Sequence, residues 1–447
     1  MIPTTRLWAP FAWLDRDGSG FARDVLLQVD AGGRWSAIDA GAATPPPGAE
    51  RVDGALLPGL VDAHSHAFQR TFAGRAERRD AADDDFWAWR ERMVAVAASI
   101  GPEALREVAT ALYAELLAGG YTQVVEFHYL AHRPDGTPYD DPLAMAWALA
   151  DAADAAGIGL TVCPVLYERG GFDERPLAAG QRRFAMDADA VWQAARTIAA
   201  SGRPSLRAGL AIHSLRTARD ASIARLVRLA EGFDGPIHVH AAEQTAEVDD
   251  CVRVTGRRPI AHLAATARLD RRWQLVHATH AEPAEIEAVA ASGAGVVFCP
   301  TTEANLGDGV PDLPRWLAAG VPFTVGSDSQ VGRDWREELR LLELAQRLVA
   351  RRRAIAADPA RGRASTAERL YAGALAGSAA AAGEPAWGLR VGARADALVL
   401  PRGAAGQPVV DAATLLDDQV FSSPQPPFAR VLVAGRWVTG PRSPARP

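Results

Sequence analysis

ALLPGLVDAHSHAFQR, residues 55–70, is an apolar run that ends abruptly in ionisable side chains, among them His64 and His66. Side chains alternate faces along a strand, so two histidines two residues apart point the same way where the chain leaves it. Similar β-rich runs recur downstream: YTQVVEF (121–127), GLTVCPVLY (159–167), LRAGLAIHS (206–214), PIHVHAAE (236–243), RWQLVHATH (272–280), GAGVVFCP (293–300) and VPFTVGSDS (321–329). With ALLPGLVDAH (55–64) they number eight. Between them lie amphipathic stretches such as PEALREVATALYAELLAGG (102–120), with apolar residues at helical spacing and glycine at the C-terminal end. Eight alternating strands and helices predict an α/β protein built on a closed, TIM-like (β/α)8 barrel.

In such a barrel the functional groups sit at the C-terminal ends of the strands. Here the first run ends in DAHSH, the fourth in HSLR, the fifth in HVHAAE, the sixth in VHATH and the eighth in GSDS. Five strand ends thus bring His, Asp or Glu to one face.

The flanks have another texture. RDVLLQVDAGGRWSAIDAG (23–41), ADALVLPRG (395–403) and FARVLVAGRWVTG (428–440) are short strands separated by glycine turns, expected to pair as a small β-sandwich domain built from both termini. The expected division is 1–54 and 385–447 for the small domain and 55–384 for the barrel. The Ala/Arg-rich helices after residue 335 are expected to pack outside the barrel, and TPPPG and SSPQPP to be turns and linkers.

A length of 447 residues suits a barrel with a small appendage, and 48% hydrophobic with 23% charged residues is ordinary for a globular protein. Neither a transmembrane span nor a secretory leader is visible, and a cytoplasmic location is expected. Cys163, Cys251 and Cys299 are few, odd in number and without a CxxC, which argues for small buried hydrophobes in a reducing compartment. A net charge of −6 disfavours nucleic acid as a partner, and Arg351 to Arg353 read as a solvated helix face. All 48 basic residues are arginine. With no lysine, Schiff-base and PLP chemistry are excluded, as is a two-metal site bridged by a carboxylated lysine.

His64 and His66, joined by His240 and Asp328 from other strand ends, form a His3Asp set of nitrogen and oxygen donors. Such a set suits one Zn2+ per chain, with Fe2+ as the alternative, and leaves a position for water. Glu243 lies three residues past His240, where the fifth strand turns into its loop, within reach of a substrate nitrogen as acid/base. His238 shares the face of His240 one layer deeper and is expected to be a satisfied interior residue. His262 is expected to be structural, while His132 and His280 have no assigned role.

PGLVDAHSH, HVHAAE, VHATH and GSDS, in this order, resemble the amidohydrolase superfamily. HSHAFQR (64–70), FWAWRERM (86–93), EFHYLAHRPDGTPY (126–139), VLYERGGFDERPLAAGQRRF (165–184), CPTTEANLGDG (299–309) and GSDSQVGRDWREELRLLE (326–343) narrow the likeness to the formimidoylglutamate deiminase family. The resemblance implies zinc-dependent hydrolysis of N-formimidoyl-L-glutamate to N-formyl-L-glutamate and ammonia, a step of histidine degradation. It implies the same ligands, His64, His66, His240 and Asp328, with Glu243, His277 and Asp328 catalytic. It also implies Gln69, Arg90, Tyr129, His213 and Arg216 as the substrate-binding set. Two carboxylates on the substrate ask for planar, fixed positive charge, which Arg90 and Arg216 would supply. The WAW around Arg90 reads as core packing. The remaining alternatives are a ring aminohydrolase of the guanine, cytosine or triazine type, and a non-catalytic barrel scaffold. The partners expected are a small dicarboxylate and a second copy of the chain in a homo-oligomer, a dimer, with no membrane.

Overall fold

The computed structural model describes residues 5–16, 19–77, 86–401, 414–422 and 428–439. Eight parallel strands close into a barrel: β1 (Leu60–Ser65), β2 (Tyr121–His128), β3 (Gly159–Leu166), β4 (Leu210–Ser214), β5 (Ile237–Ala241), β6 (Trp273–His277), β7 (Gly295–Phe298) and β8 (Phe323–Val325). Val325 of β8 pairs with Asp62 of β1, while Ala211 and Ile212 of β4 pair with Val165 and Leu166 of β3. Helices cover the outside, so the strands are buried on both faces, which is why they read as nearly continuous apolar runs.

The run at 55–64 is two strands and not one. Ala55–Leu57 pairs with Phe11 and Ala12 on one side and with Leu398 and Val399 on the other, so it belongs to the terminal sheet, and the barrel begins at Leu60. Periodicity could not separate them, because both pieces are buried and apolar; the division falls at Pro58, which has no N–H to give a sheet. The run at 206–214 is likewise interrupted, at Gly209, where a Cβ would lie 2.4 Å from Cys163 Sγ.

The helix Thr366–Ala382 packs on β1 and β8 from outside, and a Cβ at Gly377 would lie 2.2 Å from Phe323 O, so glycine permits that approach. Arg351 to Arg353 are exposed but follow the helix Trp335–Ala350; Arg351 takes a positive φ of 52° and ends it. All three cysteines are buried and free.

Both termini contribute to one eight-stranded sheet containing Thr5–Arg16, Ser19–Val29, Ala397–Val399 and Arg430–Val433. It curls so that distant segments meet, with Trp35 N–H donating to Ala393 O at 3.0 Å and Gly435 N–H to Ala395 O at 2.8 Å. Leu7, Leu27, Trp35, Leu56, Val399 and Leu432 belong to a core separate from that of the barrel. TPPPG is a turn region within the description, whereas most of SSPQPP, at 423–427, lies outside the described residues. Among the described residues no helix is long and apolar enough to cross a membrane.

Candidate active site

Three imidazoles converge at the C-terminal mouth of the barrel. His64 Nε2 lies 2.9 Å from His240 Nε2 and 3.2 Å from His66 Nε2. Asp328 Oδ1 approaches His66 Nε2 at 3.3 Å and His64 Nε2 at 3.6 Å. Burial holds His64 and His240 well below the ordinary histidine value and His66 at about 3, so all three rings are neutral. His66 Nδ1 faces Phe127 O at 3.0 Å, and a carbonyl can only accept, so the proton sits on Nδ1 and the inner nitrogen offers a lone pair. Neutral nitrogens directed at one point, with a carboxylate beside them, fit a divalent cation of the zinc type.

The strand ends that deliver these groups are bent into left-handed backbone: Ala242 (φ 53°), His277 (φ 69°), Ala278 (φ 50°) and Asp328 (φ 47°). Each such residue costs roughly 1–3 kcal/mol and persists because neighbours hold it. Asp328 N–H donates to His64 O at 2.8 Å, His66 N–H to Asp328 O at 3.2 Å, and Ala278 N–H to Ala241 O at 3.1 Å. Gly326 makes the first of these contacts possible, since a Cβ there would lie 2.7 Å from His64 Cβ.

Beneath the histidines lies a buried polar frame that the sequence reading did not find. Asp62 accepts from Ser327 N–H at 2.8 Å and Ser327 Oγ at 2.6 Å, and Glu126 accepts from Ser65 Oγ at 2.6 Å and Ala67 N–H at 3.1 Å. Gln330 Nε2 donates to Ser65 Oγ at 3.0 Å. Burial pushes the Asp62 and Glu126 carboxyls up to about 7 despite these donors. The frame locks β1 to β2 and β8. In the sequence the only sign of Asp62 and Glu126 was an acidic residue inside an otherwise apolar run.

His277 stands among three acidic groups, with Nε2 at 3.7 Å from Asp328 Oδ2 and 3.8 Å from Glu243 Oε1, and with Nδ1 at 3.4 Å from Glu303 Oε1. Burial opposes its charge, yet Glu243, Glu303 and Asp328 together raise it to about 10. Burial likewise pushes Asp328 up to about 7, against the pull of His277. Glu243 is oriented from behind, its N–H donating to Glu247 Oε2 at 3.1 Å. Glu247 and Glu303 are further groups that spacing did not reveal, because each comes into the site from a helix.

One pocket joins the sequence-predicted residues. His66, His240, Asp328, Glu243 and His277 line it, as do Gln69, Arg90, Tyr129, His213 and Arg216. His64 lies just beneath, fully buried. Gln69 Nε2 donates to Tyr129 OH at 3.0 Å, and its Oε1 has no partner among the described residues. Arg216 is buried with Nε and Nη1 unpartnered among the described residues, and Arg90 Nη2 donates to Tyr167 OH at 2.9 Å. The WAW segment is core packing only in part: Trp89 is half-buried and packs against the barrel core. Trp89 lines the pocket, and the Trp87 ring lies 5.3 Å from the Arg216 guanidinium and 5.9 Å from that of Arg90. Phe86, Met93 and Leu306 complete an apolar wall.

Four other histidines have separate surroundings. His238 Nε2 meets Ala381 O at 3.0 Å, His132 Nε2 meets Ala185 O at 2.8 Å, and His262 Nε2 pairs with the Asp220 carboxylate at 3.0 Å. His280 Nε2 is buried without a partner among the described residues.

A closed (β/α)8 barrel with a histidine and aspartate cluster at its mouth and a sheet made from the termini defines a class, and the chain belongs to it: residues 55–438 match the amidohydrolase family. It is a hydrolase acting on C–N bonds, in a family that depends on metal. A formimidoylglutamate deiminase from Pseudomonas aeruginosa is 44% identical over 94% of this chain and 92% of its own length. Among solved structures, an amidohydrolase from Brucella melitensis superposes with a TM-score of 0.90 at 37% identity, covering 97% of this chain and 94% of its own. An adenosine deaminase from Xanthomonas campestris with bound zinc gives a TM-score of 0.76 at 25% identity, over 97% and 92% of the two chains.

Proposed function

We infer that this chain hydrolyses N-formimidoyl-L-glutamate to N-formyl-L-glutamate and ammonia, with a single zinc ion, or iron(II) in its place, held by His64, His66, His240 and Asp328. The observation that carries this reading is that two guanidinium groups, Arg90 and Arg216, share one pocket with the histidine cluster. They match a substrate with a carboxylate at each end, and the 44% identity to a formimidoylglutamate deiminase supports the same choice. A bound zinc ion supplies Lewis-acid activation, bringing the pKa of water to roughly 7.

The chain's own groups then divide the work. Asp328 takes the proton of the attacking water. Attack on the formimidoyl carbon produces a tetrahedral centre bearing two nitrogens and one oxygen, and the nitrogen that is protonated leaves. Glu243 delivers that proton to the imino nitrogen, the C–N bond breaks to release ammonia, and the hydroxyl on the carbon gives its remaining proton to Asp328 as the formyl C=O forms. His277, between the two carboxylates, donates to the new oxygen and passes protons from Asp328 toward Glu243. Gln69, Tyr129 and His213 bind and orient the substrate beside the two arginines.

A coupled ammonia assay on zinc-loaded protein should show turnover of formimidoylglutamate and none of guanine, cytosine or adenosine. Turnover of a ring substrate with formimidoylglutamate inert would replace this reading with the ring aminohydrolase. Elemental analysis should find close to one zinc or iron per chain; a value near two, with activity following the second ion, would overturn the single-metal mechanism.

Arg216→Met removes a charge-assisted hydrogen bond worth roughly 1.5–3 kcal/mol, so kcat/KM for the acid should fall about 10- to 150-fold. The metal content should not change. The uncharged diamide of the substrate already lacks that contact and should lose little further. Equal losses for acid and diamide would show Arg216 supporting the barrel and not reading a carboxylate.

A further inference from the structure

The segment YERGGFDERPLAAGQRRF, residues 167–184, contributes no ligand and no acid/base group, yet it touches the supports of both pocket arginines. Tyr167 OH accepts from Arg90 Nη2 at 2.9 Å and from Gln181 Nε2 at 2.8 Å. The Gln181 amide is oriented by Ala178 N–H, which donates to Oε1 at 3.0 Å, so the NH2 group must face the phenol. Arg183, fully buried, donates Nη2 to Ile100 O at 2.8 Å and Nη1 to Ala97 O, holding the C-terminal end of the helix Phe86–Ala97 that carries Arg90.

The same segment grips the other arginine from a different side. Arg169 Nη2 donates to Leu215 O at 2.8 Å and to Ala218 O at 3.0 Å, the carbonyls that bracket Arg216. The backbone N–H groups of Glu168 and Arg169 both donate to Thr217 O, at 2.9 and 3.1 Å. Arg169 is itself anchored on Glu174, whose other oxygen accepts from Arg219 Nε at 2.8 Å. Gly170 N–H donates to Arg175 O at 2.8 Å and folds the segment back on itself, and a Cβ on Gly170 would lie 2.8 Å from Pro176 O. The two guanidiniums come from distant parts of the chain, a helix after β1 and a loop after β4, and this one strap ties them together.

We propose that residues 167–184 form a spacer that sets the distance between the Arg90 and Arg216 guanidiniums and thereby selects the chain length of the dicarboxylate. Tyr167 and Arg169 are its positioning residues, acting through Arg90 and Arg216 respectively. The proposal rests on the reading of those arginines as carboxylate binders. A guanidinium that loses its support still carries its charge but samples more positions, so the cost falls on binding and on discrimination between a glutamate-length and an aspartate-length substrate.

The test uses zinc-loaded enzyme with N-formimidoyl-L-glutamate and N-formimidoyl-L-aspartate. Tyr167→Phe, an isosteric change that keeps the ring, and Arg169→Met should each raise KM for the glutamate derivative about 10- to 100-fold while kcat stays within about threefold. The preference for glutamate over aspartate should shrink, and zinc content should be unaltered. Tyr167→Phe should cost nothing further in an Arg90→Met background, nor Arg169→Met in an Arg216→Met background. Losses that add fully in those double variants, or an unchanged KM and length preference in Tyr167→Phe, would overturn the spacer while leaving the arginines' role intact. If Arg90→Met and Arg216→Met fail to distinguish the acid from its diamide, the carboxylate reading falls and takes the spacer with it.

Discussion

Glu243→Gln should keep its full metal complement and lose about 10²–10⁴-fold in kcat, the usual contribution of a positioned acid/base group. The substitution preserves size and leaves the backbone contact to Glu247 Oε2 at 3.1 Å in place. It removes only the ability to take up and release a proton. Glu243 Oε1 lies 3.8 Å from His277 Nε2 and lines the pocket, where the other lining carboxylate, Asp328, is held 3.7 Å from the same nitrogen. Steady-state kinetics beside elemental analysis decide the matter. A near-normal kcat with full zinc would reduce Glu243 to a residue that shapes the end of β5.

His64→Ala should behave in the opposite way, losing metal and activity together. His64 Nε2 is the hub of the cluster, within 2.9 Å of His240, 3.2 Å of His66 and 3.6 Å of Asp328, and its side chain is fully buried. Alanine leaves His66, His240 and Asp328 around an enlarged hole from which the central donor is missing. Metal affinity and proton-transfer capacity therefore separate cleanly between the two variants. Retention of about one zinc per chain by His64→Ala, after dialysis against a chelator, would remove His64 from the ligand set.

Much of the site could be read before folding because strand alternation is a local rule. His64 and His66, two apart in β1, had to face the same way, and a parallel barrel places every strand end on one rim. His240 and Asp328 followed from their places at other strand ends and His277 from the family resemblance, and the structure brings all of them to a single pocket, with His64 just beneath it. The reading failed where a local rule had two outcomes. Ala55–Leu57 is as apolar as the barrel strand it precedes, and which sheet it joins is settled by partners at Phe11 and Leu398. The tryptophans around Arg90 read as core, and Trp89 does pack against it, but Trp89 also lines the pocket and Trp87 lies over two guanidiniums.

The sequence by itself therefore determined the barrel and the rim to which its ionisable strand-end residues come, since both depend on periodicities of two and 3.6 residues. Tertiary structure alone decided which buried acids support that rim and how far apart the two arginines stand. Asp62 meets Ser327 across 265 positions of chain, and Tyr167 meets Arg90 across 77. Contacts of that range carry no periodic signature, because they arise from loops whose course is set by packing and by a few strained residues such as Asp328 and His277.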